Sequence, residues 1–211
     1  MGYSLHEVGS ITLIGGIMNV IVRFFLHAKH WQIFILLLGV SFFAQLAAMS
    51  SFAAARSAED FGPGPLFIVM TVLLLFCFLG WFWAMGSFLS SIVPASLRLR
   101  TRFFRFALVY PAVYIFAFIA FFEHPIPAMF AIIFPFHLFA MYCIFYNLYF
   151  VSKSLVMAET GKPALFYDYA GPFFLIWFFP IGVWFIQPRI NRIYALKGSA
   201  EPSNEPNGAG R

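Results

Sequence analysis

Apolar residues along this chain fall in blocks too long for the amphipathic elements of a water-soluble protein. Trp31–Ala55, Leu66–Val93, Phe104–Phe122 and Ala128–Val151 are each mostly apolar. Each approaches or exceeds the ~20 residues a helix needs to cross a ~30 Å hydrocarbon core. Polar and helix-breaking residues separate the blocks. Glu59 and Asp60 precede Gly62-Pro63-Gly64-Pro65, Ser96–Arg105 forms the next gap, and Glu123-His124-Pro125-Ile126-Pro127 the third. The pattern predicts four transmembrane helices at 31–55, 66–93, 104–122 and 128–151. Pro111 lies about two turns into the third, so a kink is expected there, with a neighbour satisfying the carbonyl it frees.

Two further segments flank these spans. Along 9–30, Thr12, Gly16, Asn19, Arg23, His27 and His30 recur at helical spacing and form one polar stripe. Such a stripe suits a helix lying in the headgroup region, or a spanning helix packed on neighbours with Arg23 snorkelling. The interfacial helix is preferred, because Lys29, His30 and Trp31 resemble an interface belt. At the other end, 172–187 is apolar but short, reaching only ~24 Å as a helix, and carries Pro180-Ile181-Gly182 at its middle. It is expected to dip in and return, to lie at the interface, or to form a short fifth span closed by Pro188 and Arg189. Residues 152–171 are read as a polar loop, and 198–211 as a disordered tail. The fold class is thus an all-α integral membrane protein, with one membrane domain over 1–197.

Composition strengthens this reading. Only 10% of residues are charged and mean hydropathy is +0.87. A soluble domain carries about a quarter charged residues in its solvated shell, so here the outside of the protein must itself be apolar. Charge then supplies direction. Arg98, Arg100, Arg102 and Arg105 cluster between the second and third spans, and short loops rich in Lys and Arg remain cytoplasmic. If 172–187 does not cross, Arg189 and Arg192 join them on that side, which favours a non-crossing path. These six arginines are the expected contacts for anionic lipid headgroups. No stacking motif or extended basic domain accompanies the net charge of +5, which argues against nucleic acid as a partner.

Candidate chemistry is sparse. His137 is the histidine expected deepest in the membrane, where ionisable groups serve proton relay or metal and haem ligation. Its helical neighbours Met141 and Ile144 are not carboxylates, so a neutral histidine bonded to a neighbour is the favoured reading. Gln45 and Asn147 complete the candidate intramembrane polar site. Tyr110, Tyr114, Tyr142, Tyr146 and Tyr149 suit an aromatic belt or a pocket wall. Tyr167-Asp168-Tyr169 suits a helix cap. Glu59 with Asp60, and Glu123 with His124, are loop charges on the opposite face. Cys77 and Cys143 read as small buried hydrophobes. Ser87, Ser90 and Ser91 lack the Gly-x-Ser-x-Gly elbow, and no Walker, Rossmann or His-Glu-x-x-His motif occurs. No cofactor or metal is expected, and enzyme function is disfavoured.

The stretch Phe173-Phe174-Leu175-Ile176-Trp177-Phe178-Phe179-Pro180-Ile181-Gly182-Val183-Trp184-Phe185-Ile186-Gln187-Pro188-Arg189-Ile190-Asn191, led by Tyr167-Asp168-Tyr169, resembles the C-terminal signature of uncharacterised bacterial multi-pass membrane proteins. The resemblance implies a bacterial cytoplasmic membrane and no activity. The expected role is a non-catalytic accessory or interaction protein, with other membrane proteins as possible partners. A small transporter or channel using the broken helix at Pro180–Gly182, and a membrane enzyme or haem protein using His137, are the alternatives.

Overall fold

The computed structural model of the chain describes residue 16 and residues 19–54, 65–121 and 127–200. Among these there are helices and no strands. The first helical stretch, α1, covers 19–27 and ends at a break over Ala28 and Lys29. α2 begins at once as His30–Phe34, passes through a π-helical stretch at Ile35–Gly39 and continues as Val40–Ala54. α3 is Pro65–Ile92, α4 Thr101–Phe121, α5 Pro127–Thr160, α6 Phe166–Trp177 and α7 Phe179–Ala200. Among the described residues four stretches are long and apolar enough to cross a membrane: His30–Ser50, Pro65–Ile92, Thr101–Phe118 and Ile133–Thr160. Their outward faces carry side chains such as Phe42, Phe43, Val69, Phe76, Val109 and Val113, all exposed. The chain is an all-α integral membrane protein.

Packing is built from small residues and stacked rings. Ala44 and Ala47 are buried on α2, the helix that packs along α3. Close approach of backbones replaces the hydrophobic drive that lipid cannot supply. On α3, Gly86 gives room to the ring of Phe104 from α4, which itself stacks on Phe150 of α5 at 4.2 Å. A Cβ at position 86 would stand 2.2 Å from that ring.

The C-terminal segment is a hairpin. α6 runs back along α5, with Tyr169 on Tyr149 (5.6 Å between centroids), then Phe173 and Trp177 on Phe145 (6.4 and 4.6 Å). The chain reverses at Phe178, whose φ of −86° and ψ of 59° leave the helix. α7 then descends beside α3, bringing Phe179 to Phe78 (5.8 Å) and Tyr194 to Phe88 (5.3 Å). Both open ends of the hairpin therefore lie at the arginine-loop end of the bundle. Twelve residues give α6 a length of about 18 Å, a little over half a hydrocarbon core.

Several boundaries differ from the sequence expectation, each for a physical reason. The reversal sits before Pro180, not within Pro180–Gly182, because Pro180 occupies the first turn of α7, where its missing N–H costs nothing. Pro188 does not close the helix. It is exposed on α7, and the helix runs on to Ala200 with Ile186, Gln187 and Ile190 buried around it. Residues 198–200 thus belong to that helix, and the rest of the expected tail lies outside the described residues. Ser152–Thr160 is helix rather than loop, since Ser152, Ser154, Leu155, Val156 and Met157 are buried despite the flanking charges. α5 ends where Gly161, at φ 65°, accepts the left-handed conformation and donates its N–H to Met157 O. His30 opens α2 instead of ending the polar stripe, and the exposed Asn19, Arg23 and His27 keep that stripe on the outside of α1.

Gly182 makes the hairpin possible, because a Cβ there would stand 1.6 Å from the carbonyl oxygen of Leu175. Backbone on both sides leaves no flexible atom to yield. Gly182→Ala is expected to destabilise the protein by about 3 kcal/mol or more, read as a lower thermal midpoint in detergent. An unchanged midpoint would show that the two arms do not close this tightly.

Candidate functional site

The most connected polar group in the bundle is Gln187, on α7 and 0% exposed. Its Oε1 accepts from the indole Nε1 of Trp81 on α3 at 3.0 Å. Its Nε2 donates towards Phe25 O (2.8 Å), Ala28 O (3.0 Å) and Asn191 Oδ1 (2.9 Å). An amide nitrogen has two hydrogens, so these three acceptors share them. Asn191, one turn on, donates its Nδ2 to the same Ala28 O at 3.1 Å. The last carbonyls of α1 have no partner within their own helix. Here two side chains from the far end of the chain cap them.

A second polar contact repairs the proline in α4. Pro111 has no N–H to give Ala107, four residues back. Asn147 on α5, 4% exposed, donates its Nδ2 to Ala107 O at 2.8 Å. The expected neighbour for the freed carbonyl is thus identified. The Oδ1 of Asn147 is buried with no hydrogen-bond partner among the described residues.

The other sequence candidates are dispersed. His137 is exposed on α5, its Nδ1 3.1 Å from the Tyr114 hydroxyl. Gln45 is exposed on α2, apart from both Asn147 and His137. The three do not converge, and no cluster of three metal-binding side chains occurs among the described residues. Cys77 and Cys143 are buried and free. Ser90 and Ser91 return their hydroxyls to Ser87 O and Phe88 O on their own helix. Asp168 accepts from Leu165 N at 2.8 Å, the capping role expected at the start of α6. Tyr146 packs edge-on to Phe103 at 4.5 Å and Tyr110 edge-on to Phe139 at 4.8 Å, in a ladder of rings between α4 and α5. Glu59, Asp60, Glu123 and His124 lie outside the described residues.

The cations gather at one end. Arg98, Arg100 and Arg102 are exposed, with Arg98 Nη2 3.4 Å from Val93 O. Arg105 lies over the Trp83 ring at 5.4 Å. Arg189 makes a two-point pair with Glu159, one arm from Nε to Oε1 at 2.7 Å and the other from Nη2 to Oε2. Arg192 and Lys197 share a crevice with that pair, beside Ser91 and Ile92 at the end of α3.

Sequence reasoning missed Gln187, Asn191 and Trp81. The available signal was a lone Gln followed by Asn four residues later, which puts two amides on one face of an otherwise apolar helix. Comparison with protein-family models, curated proteins and solved structures finds no match to this chain.

Interhelical hydrogen bonds within membranes average about 0.6 kcal/mol. With three such contacts from Gln187 to other elements, Gln187→Leu is expected to cost roughly 2 kcal/mol, and Trp81→Phe roughly a third of that. Thermal unfolding in detergent should rank them in that order. Gln187→Leu should also expose the Ala28–Lys29 break to added protease. Equal effects from the two substitutions would mean that Gln187 does not anchor α1.

Proposed function

We propose that this protein is a non-catalytic component of a bacterial cytoplasmic membrane, acting as an interaction platform for other membrane proteins. The observation that carries the reading is the use of its interior amide and indole side chains. Gln187, Asn191, Trp81 and Asn147 bond to helix backbones and to one another, which serves to hold the helices in place. The arginine-loop end faces the cytoplasm, where Arg98, Arg100, Arg102, Arg105 and Arg192 meet anionic headgroups. The hairpin of α6 and α7 enters from that side and returns to it. Its outward face, with Phe174, Trp177, Phe178, Trp184 and Phe185 exposed, is the broad aromatic surface available to a partner within the bilayer.

Two measurements test this. A photo-crosslinking residue at Phe178 or Trp184 is expected to capture one discrete protein, while the same residue at Phe42 or Val113 captures lipid alone. Lipid adducts at all four positions, or solute flux through the purified protein in liposomes, would overturn the platform reading. Orientation is tested separately with Ser96→Cys and Leu196→Cys, both at exposed positions. A membrane-impermeant thiol reagent is expected to miss both in intact spheroplasts and to label both after lysis. Labelling of one alone in intact cells would show that the hairpin crosses.

A further inference from the structure

Beyond the platform, and independent of it, the bundle contains a cavity. Because α6 stops at Trp177 while α3, α4 and α5 continue, the three long helices border a half-open pocket of ≈ 330 Å³ beside the hairpin tip. Phe82, Leu108, Ala112, Met141 and Phe145 wall it, with Trp177 at the tip. Met141 and Trp177 are also exposed on the outside of the bundle, so the way in is from the bilayer. Asn147 is the one lining side chain that carries oxygen. Its Nδ2 is held by Ala107 O, and its buried Oδ1 is the unpaired acceptor described above.

Water is a poor occupant. A buried water makes about three hydrogen bonds to polar neighbours, and apolar cavities of about 150 Å³ stay dry and take up benzene. This one is about twice that size, offers one oxygen acceptor among its lining side chains, and is otherwise walled by hydrocarbon and rings. An apolar chain alone would fill the volume and leave Oδ1 unsatisfied, which costs about as much as a lost hydrogen bond.

We propose that the cavity binds a lipophilic alcohol or phenol, a body of roughly ten carbons scaled from the benzene-sized case, whose hydroxyl donates to Asn147 Oδ1. Asn147 lines the pocket while its Oδ1 is covered, so binding requires a turn about the soft Cβ–Cγ torsion that brings the oxygen to the occupant and lengthens the Nδ2 bond to Ala107. Binding removes the orphan acceptor and fills the gap that the short hairpin leaves.

The test uses full-length protein in nanodiscs and two photoreactive probes, an octanol carrying an alkyl diazirine and the same diazirine without the hydroxyl. Adducts are mapped by mass spectrometry. The alcohol is expected to label Met141, Ile144 and Phe145 about fivefold more than its hydroxyl-free counterpart, the ratio one neutral hydrogen bond supports. Asn147→Leu should remove that preference. Because it also strips Ala107 of its partner, Ala112→Phe serves as a second variant that fills the cavity with the Asn147–Ala107 bond intact. It should abolish both probes' cavity adducts while elution and helical content stay unchanged. Displacement by 1-decanol or by 1-naphthol then separates an aliphatic from a phenolic occupant. Equal labelling by the two probes, labelling that persists in Ala112→Phe, or displacement by neither competitor overturns the proposal.

Discussion

A carboxamide in a dry interior must find partners, and the structure is arranged around the one at Gln187. Seated on α7, it bonds to α1 and α3 at once, so three elements far apart in the sequence share a single fixed point. Apolar packing in lipid is weakly directional, since side chains and acyl tails are equally oily. Directional bonds therefore set register. With Gln187 against Trp81, the depth of α7 beside α3 is determined, and with it the depth of the hairpin tip. Asn191 repeats the contact to Ala28 one turn on and fixes the rotation of α7 about its axis.

The half-length hairpin follows from local chemistry. Phe178 leaves the helix, Pro180 starts the next one cheaply, and Gly182 lets the second arm lie on the backbone of the first. Turning there brings Arg189 down to Glu159 at the end of α5 and leaves an open volume beyond the tip. The same repair principle recurs in α4. Pro111 breaks a backbone bond, Asn147 reaches across to mend it, and its oxygen is left buried without a partner among the described residues.

Length and apolar continuity made the four long helices legible in the sequence, because nothing else accommodates such runs. A non-crossing path was favoured for 172–187 from its short reach, its breaker residues and the arginines beyond it, and the described segment is a hairpin that reverses at Phe178. Its ends were not legible. Pro188 signals a stop in water, but buried neighbours on both sides carry the helix through it. The charges Lys153 and Glu159 suggested a loop, yet Ser154 to Met157 between them are buried in succession, so the helix is covered on most sides there. The sequence also raised His137, Gln45 and Asn147 together as one polar site. Tertiary arrangement separates them, giving His137 to Tyr114, Asn147 to Ala107 and Gln45 to the outer surface. The anchoring role of Gln187 was not legible because its partners on α1 and α3 stand over 100 positions away.

That separation bears on how the chain is made. Phe25 O and Ala28 O lie 162 and 159 positions from the side chain that caps them. At synthesis rates of about 5–20 residues per second, α1 would wait on the order of ten seconds or longer for α7 to emerge. Throughout that interval its terminal carbonyls need a temporary donor, either water at the bilayer surface or an insertion factor. A helix made early is thus among the last to settle, and a ribosome stalled before Gln187 would release a bundle in which α1 has no seat.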